Sequence, residues 1–210
     1  MNYPNGKPYI NNQPSSKKTK ADRPVQYGKR GMTLEEEITQ SNTFYLERQV
    51  AVIHKKPTPI QVVKVDYPKR SAAVIKEAYY RQSSTTDFNG IYRGFYIDFE
   101  AKETRNKQSF PLKNVHDHQI IHMDHCQKQG GICFVMIRFS ELNRVFLLES
   151  HFLSEFWSNQ HKADGRKSIP LSFIEEYGYE ISYGYQPILD YLKVVDDIIK
   201  KKTEVNQHAK

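Results

Sequence analysis

Asp87, twelve intervening residues and then Glu100-Ala101-Lys102 make up the part of this chain whose residue types and spacing best suit a reaction. Two carboxylates brought together can share a hard divalent cation through oxygen. Such a cation acidifies a bound water and balances charge on a phosphate, and a lysine ammonium beside it adds positive charge where a transition state needs it. From Tyr96 to Lys102 the residues alternate, with Ile97, Phe99 and Ala101 on one face of a strand and Asp98, Glu100 and Lys102 on the other. An acid-x-Lys triplet alone also describes a silent surface salt bridge. The spacing back to Asp87 is what favours catalysis.

Whether the acids meet depends on a turn. Asn89-Gly90 is the stronger local hairpin signal. It would leave Glu100 about 26 Å along the strand from Asp87's partner position. A turn at Arg93-Gly94 instead pairs Tyr92 with Phe95, Phe88 with Phe99 and Asp87 with Glu100. We adopt this register because it also matches the aromatics on one face, with Asn89-Gly90 becoming a bulge or kink. Opposed Cβ atoms then lie about 4.5–5.5 Å apart, within the span of one cation.

Further candidates surround this pair. Thr85 lies two residues before Asp87 and shares its face, so its carbonyl or hydroxyl is a candidate ligand. Glu35 is a possible additional acid from the first helix, since Glu36 is accounted for by a capping box with Thr33. Asp98 is given a structural role or the orienting of Lys102. A competing metal reading uses His116, His118, His122, His125 and Cys126, of which His118, His122 and Cys126 recur at the helical spacing that would suit zinc, but no His-Glu-x-x-His or paired-cysteine framework accompanies them.

The elements that must position these groups form a mixed α/β pattern. A helix is expected at 33–46, strands at 50–53 and 60–65, and a helix at 70–80. A long hairpin follows at 85–102, then a helix at 114–129, strands at 132–138 and 144–149, and helices near 151–160 and 187–202. Residues 1–30 are expected to be a flexible basic arm, with seven Lys or Arg against Asp22 alone. A nuclease domain is expected over 31–205, with a short disordered tail at 206–210. Residues 54–82 look inserted, being basic and carrying Tyr67, Tyr79 and Tyr80 among the charges.

Overall, 31 basic residues face 24 acidic ones, a formal charge of +7 that favours a polyanionic partner. No apolar run approaches the roughly 20 residues of a membrane span, so no membrane association is expected. The two cysteines, Cys126 and Cys133, form no C-x-x-C pair, which suits a reducing cytoplasm.

At these residues the sequence resembles the PD-(D/E)xK nuclease superfamily, and more closely its RecU family of Holliday-junction resolvases. The resemblance runs through nearly the whole chain. It rests on Tyr3-Pro4-Asn5-Gly6-Lys7, Arg30-Gly31-Met32, Ala51 to Pro59, Tyr67-Pro68-Lys69-Arg70-Ser71, Ser84 to Asp87, Ile97 to Thr104, and His116-Asp117-His118-Gln119. Thr86 replaces the superfamily's usual proline before the first acid, as RecU-like sequences do.

The resemblance implies a restriction-endonuclease-like fold, a mixed central sheet flanked by helices, with the insertion as a stalk entering a four-way DNA junction. It implies Mg²⁺, replaceable by Mn²⁺, on Thr85, Asp87, Glu100 and Gln119, with Lys102 stabilising the transition state. Gln119 rests on the resemblance, since a helix-capping role is its ordinary reading. Lys29, Arg30, Lys55, Lys56, Lys69 and Arg70 are expected on DNA. A homodimer delivering paired nicks, beside a RecA-type recombinase at the nucleoid, completes the expectation. The alternative is a non-catalytic, junction-binding architectural protein that modulates a recombinase.

Overall fold

A computed structural model describes residues 31–67, 69, 72–81 and 85–208. The basic arm, Lys29, Arg30 and Arg70 lie outside them. The chain divides into Met1–Met32 and Thr33–Lys210, and the second unit carries every helix and strand named below.

Helix α1 (Leu34–Glu47) opens on the expected capping box: Thr33 Oγ1 accepts from Glu36 N–H, and Thr33 N–H donates to the Glu36 carboxylate at 2.8 Å. Strand β1 (Val52–Lys55) follows, then an antiparallel ribbon of β2 (Ile60–Asp66) and β3 (Val74–Tyr80). Next come the hairpin β4 (Phe88–Tyr92) and β5 (Phe95–Thr104), the short β6 (Ser109–Pro111) and helix α2 (Asp117–Lys128). Strands β7 (Ile132–Phe139) and β8 (Arg144–Glu149) lead into α3 (Ser150–Asn159), β9 (Ser168–Pro170), α4 (Leu171–Tyr177), β10 (Tyr179–Ile181) and α5 (Leu192–His208).

Six strands make one mixed sheet in the order β1-β4-β5-β7-β8-β10, parallel only at β5–β7. The parallel step needs a crossover, and α2 supplies it. Strand β7 is buried at all eight residues, which is why its sequence is a nearly continuous apolar run. Side chains alternating off the sheet build two cores. One holds the stacked rings of Phe88, Phe99 and Phe134 with Tyr191, closed by α1 and α5 residues such as Ile38 and Val195. The other packs Val135, Ile137 and Leu148 against Met123, Leu153 and Ile174 of α2, α3 and α4. The expected class, a mixed sheet flanked by helices, is what the chain adopts.

Several expectations need correction. Where a helix is expected at 70–80, residues 74–80 form strand β3, and Arg70 and Ser71 lie outside the described residues. Val74, Ile75, Tyr79 and Tyr80 are β-branched or aromatic, and β2 offers them a ladder from Ile60↔Tyr80 to Asp66↔Val74. Asn89-Gly90 forms no bulge but pairs regularly with Asp98 and Ile97 on β5 and with His54 and Ile53 on β1. The last helix begins at Leu192 instead of 187, because Leu189 is held in extended backbone by a bridge to Tyr183 and by its N–H on Ser41 Oγ. That helix runs to His208 and takes in most of the expected tail, since no Gly or Pro interrupts it. The short β6, β9, β10 and α4 are too brief to leave a periodic signal.

Ser41 ties α1 to the segment before α5. Its buried hydroxyl donates to Glu37 O at 2.9 Å while accepting from Leu189 N–H at 3.0 Å. Ser41→Ala leaves that buried N–H without its acceptor, and urea unfolding should register a loss of about 1–2 kcal/mol. An unchanged midpoint would mean water replaces the hydroxyl.

Candidate active site

The hairpin turns at Arg93-Gly94, with φ of 49° and 80°. Two consecutive left-handed residues give the tight turn that matches strand twist. The adopted register follows, Tyr92 opposite Phe95 and Phe88 opposite Phe99. One residue further out, Asp87 meets Glu100. The Asp87 N–H donates to Glu100 Oε2 at 3.0 Å, and Asp87 Oδ2 accepts from Ala101 N–H at 3.0 Å. Each acid is therefore fixed by the other's strand.

Glu100 is only 1% exposed. Its Oε1 accepts from Lys102 Nζ at 2.6 Å and from Gln119 Nε2 at 2.5 Å. Burial, and then the adjacent Asp87 charge, push its carboxyl up to about 8 against the pull of Lys102. Two carboxyls are thus held together where their own repulsion opposes full ionisation. Gln119 takes the capping role, its Oε1 accepting from His116 N–H at 3.0 Å, while its amide nitrogen donates to Glu100. In this pose it supports a carboxylate, and direct ligation would need the amide turned over.

One face of α2 reads down one face of β5. Gln119 meets Glu100, and one turn on His122 Nε2 lies 3.1 Å from Asp98 Oδ2. Asp98 is fully buried and also accepts from Lys56 Nζ at 2.9 Å, Tyr96 OH at 2.7 Å and the Thr86 hydroxyl. Burial alone would raise its pKa. Hydrogen bonds from Thr86, Lys56 and Tyr96 overcome that and hold it below the usual carboxylate range. The expected orienting of Lys102 by Asp98 is not seen: Asp98 engages Lys56, Thr86, Tyr96 and His122, and Lys102 Nζ lies on Glu100.

The remaining candidates fall at varied places. Thr85 is half-buried, two residues before Asp87. Glu35 sits 2.5 Å from Lys55 Nζ on a pair that is 40% and 46% exposed, and Lys55 also feels the charge of Asp87. The acid of α1 that turns inward is Glu37, which forms a buried ion pair with Arg138 of β7. Lys69 is exposed between β2 and β3. Lys56, expected on DNA, has a side chain only 16% exposed and is committed to Asp98 and Thr86, because the end of β1 lies directly behind Asp87.

Sequence reasoning missed Thr86 and the role of Lys56. Neither has a spacing signal, since Lys56 and Asp98 are brought together by strand pairing across the insertion.

Ligand atoms of Asp98, His122 and Cys126 lie within 4.8 Å of one another. His118, counted in the zinc reading, is not among them. The Lys56 ammonium already occupies the Asp98 oxygen that a cation would need. This cluster is an ion-pair network in which a second cation would have to displace the lysine.

Among the described residues no helix is long and apolar enough to cross a membrane. The RecU family model, described as "Recombination protein U", matches residues 29–197. The chain is 58% identical to Holliday junction resolvase RecU of Pediococcus pentosaceus, over 95% of this chain and 98% of that one. The protein of the same name from Geobacillus sp. (strain WCH70) is 59% identical over 93% and 96%. Its Staphylococcus aureus counterpart is 57% identical over 97% and 99%. A solved structure of Archaeoglobus fulgidus Hjc, a Holliday junction resolvase, aligns with a TM-score of 0.38 and 9% identity, over 66% of this chain and 90% of that one.

Proposed function

This chain belongs to the RecU family, and from that premise we propose that it is a magnesium-dependent endodeoxyribonuclease that resolves four-way DNA junctions. The observation carrying the chemistry is the meeting of the Asp87 and Glu100 carboxyls across the hairpin, with Lys102 Nζ on Glu100.

The residues fit a hard cation. Asp87, Glu100 and Thr85 offer oxygen, and the nearby thiol of Cys126 points toward His122 instead. Asp87, Glu100 and Thr85 would hold magnesium, with Gln119 fixing Glu100; Mn²⁺ has the same oxygen preference and can substitute. When bound, the ion supplies an acidified water and charge for the scissile phosphate. Ala101 N–H aims Asp87, and Gln119 aims Glu100. Lys102 holds an ammonium beside the reacting phosphate, where it opposes the growing negative charge.

The β2–β3 ribbon is the stalk. Its residues are exposed or nearly so on both faces, including Tyr67, Tyr79 and Tyr80, so it adds surface without adding core. Aromatics among Lys64, Lys69, Lys76 and Arg81 suit unstacked bases and phosphate at a branch point. Lys55, which feels the charge of Asp87, belongs with them, and Lys29 and Arg30 of the preceding sequence add to the +7 charge that suits DNA. A homodimer would place two sites on strands related by the junction's symmetry. Such a protein works at the nucleoid in recombination and repair, beside a RecA-type recombinase.

The direct test is a mobile four-way junction with Mg²⁺ on a denaturing gel. Symmetric nicks on opposed strands are expected, and binding without nicking across divalent metals would leave the architectural alternative. A second result concerns the ribbon. Lys55 pairs with Phe88, so the chain ends beyond them lie one strand spacing apart and a short Gly-Ser turn can replace residues 59–82. Thermal stability should move by only a few degrees, while preference for junction over duplex falls about tenfold, or ~1.4 kcal/mol. Retained selectivity would show that the ribbon is no stalk.

A further inference from the structure

We propose that Asp98 is a positioning residue for strand cleavage, its buried carboxylate clamping Lys56 and Thr86 so that Asp87 stays opposite Glu100. The proposal rests on the nuclease reading above and gives work to a charge which that reading leaves unused.

An ionised carboxylate with no exposure is costly unless its oxygens are fully engaged. Asp98 meets that condition with four donors or near neighbours, and two of them lead to the metal-binding acid. Thr86, bonded to one Asp98 oxygen, is the residue before Asp87. Lys56 reaches the other oxygen through Nζ at 2.9 Å, bonds Thr86 Oγ1 at 2.9 Å, and donates its own backbone N–H to Asp87 O at 2.7 Å.

The peptide of Asp87 is therefore held on both sides by groups that converge on one carboxylate. Asp87 lies just before β4, so beside its bonds to Glu100 and Ala101 it lacks the paired ladder position on β5 that fixes Phe88. A side chain whose oxygen must stand beside Glu100 needs such an outer support, because small displacements of a ligand lower both affinity and rate.

Neighbouring charges agree with this role. Lys56 provides the cation that Asp98 requires, and His122 and Tyr96 close the remaining sides from α2 and β5. No described bond joins Asp98 to Glu100, and the network reaches that acid through Asp87, whose N–H donates to Glu100 Oε2, so Asp98 acts through Asp87 and not on substrate.

The test uses Asp98→Asn in the full chain, at a temperature where circular dichroism shows it folded. Removal of a support behind a metal ligand should weaken Mn²⁺ binding, read by electron paramagnetic resonance, and lower kcat, each by about 10- to 100-fold. Junction affinity without metal should stay within about twofold, as the phosphate contacts are untouched. Lys56→Met with Asp98→Asn removes both charges, so stability should return toward that of the parent. The Mn²⁺ defect should persist, because the clamp is still missing.

Parental Mn²⁺ affinity and kcat in Asp98→Asn would overturn the proposal. A Mn²⁺ defect that disappears with restored stability in the double variant would overturn it too. Should Asp98→Asn fail to fold, Thr86→Val removes one arm of the clamp at constant shape. It must raise the metal requirement in the same direction, and an unchanged requirement refutes the clamp. If the parent protein binds metal but never nicks, the nuclease reading fails, whereas the Mn²⁺ comparison still decides whether Asp98 positions Asp87.

Discussion

Asp87→Asn should abolish junction nicking, lowering kcat by at least about 100- to 1,000-fold, the scale of losing a principal electrostatic group at a reacting phosphate. Asparagine keeps the shape of the side chain, and its carbonyl oxygen can still accept from Ala101 N–H as Asp87 Oδ2 does at 3.0 Å. The hairpin should therefore close as before. What disappears is one negative charge beside Glu100, where that charge is the second-largest influence raising the Glu100 carboxyl. Loss of like-charge repulsion should leave the variant as stable as the parent or more so. Gel-shift affinity for the junction without metal should be unchanged. Activity that survives in Mg²⁺ would remove Asp87 from the site, and loss of binding along with nicking would make its role structural.

The pairing behind this expectation is legible in the sequence because two independent patterns agree on it. Strand alternation puts Asp98, Glu100 and Lys102 on one face, and matching Phe88 with Phe99 chooses the turn that brings in Asp87. Aromatics stacked with centroids 5.0 Å apart are a strong register signal, since a one-residue slip would expose them. Gln119 is legible only halfway: its capping role follows from local spacing, whereas its contact with Glu100 depends on how α2 docks.

Other features were hidden for physical reasons. The Lys56–Asp98 pair spans 42 residues and an inserted ribbon, so nothing local announces it. Residues 70–80 carry a helix-compatible pattern, and over Val74–Tyr80 the presence of β2 as a partner decides for strand. Glu37 was readable in principle. Counting from Leu34 at helical spacing gives Ile38, Ser41, Asn42 and Tyr45 on the buried side, and Glu37 falls among them. The capping box explained Glu36 and drew attention to Glu35, while the inward acid meets Arg138 on a strand that sequence alone does not bring near.

Gly90 carries the second large expectation, and its cause differs from that of an ordinary turn glycine. Its backbone is not left-handed, so conformational freedom is not what it supplies. It lies between β1 and β5, opposite Ile53 and Ile97, and a Cβ built there would fall 2.0 Å from Val52 O and 2.5 Å from Ile53 Cα. These are backbone atoms and cannot swing aside. Gly90→Ala must push β1 outward, and β1 can move because it is an edge strand. The cost should be about 3 kcal/mol, the upper end for overpacking. The displacement also drags Lys55 and Lys56, and with Lys56 the N–H that holds Asp87 O at 2.7 Å. Nicking by the folded fraction should therefore fall as well. Gly94→Ala is the control. Gly94 has φ +80° with open space around it, so the change strains the turn by about 1–2 kcal/mol without moving β1. Urea midpoints and nicking rates for the two variants separate these causes. Equal losses in both properties would mean that close approach of β1 is not what reserves position 90 for glycine.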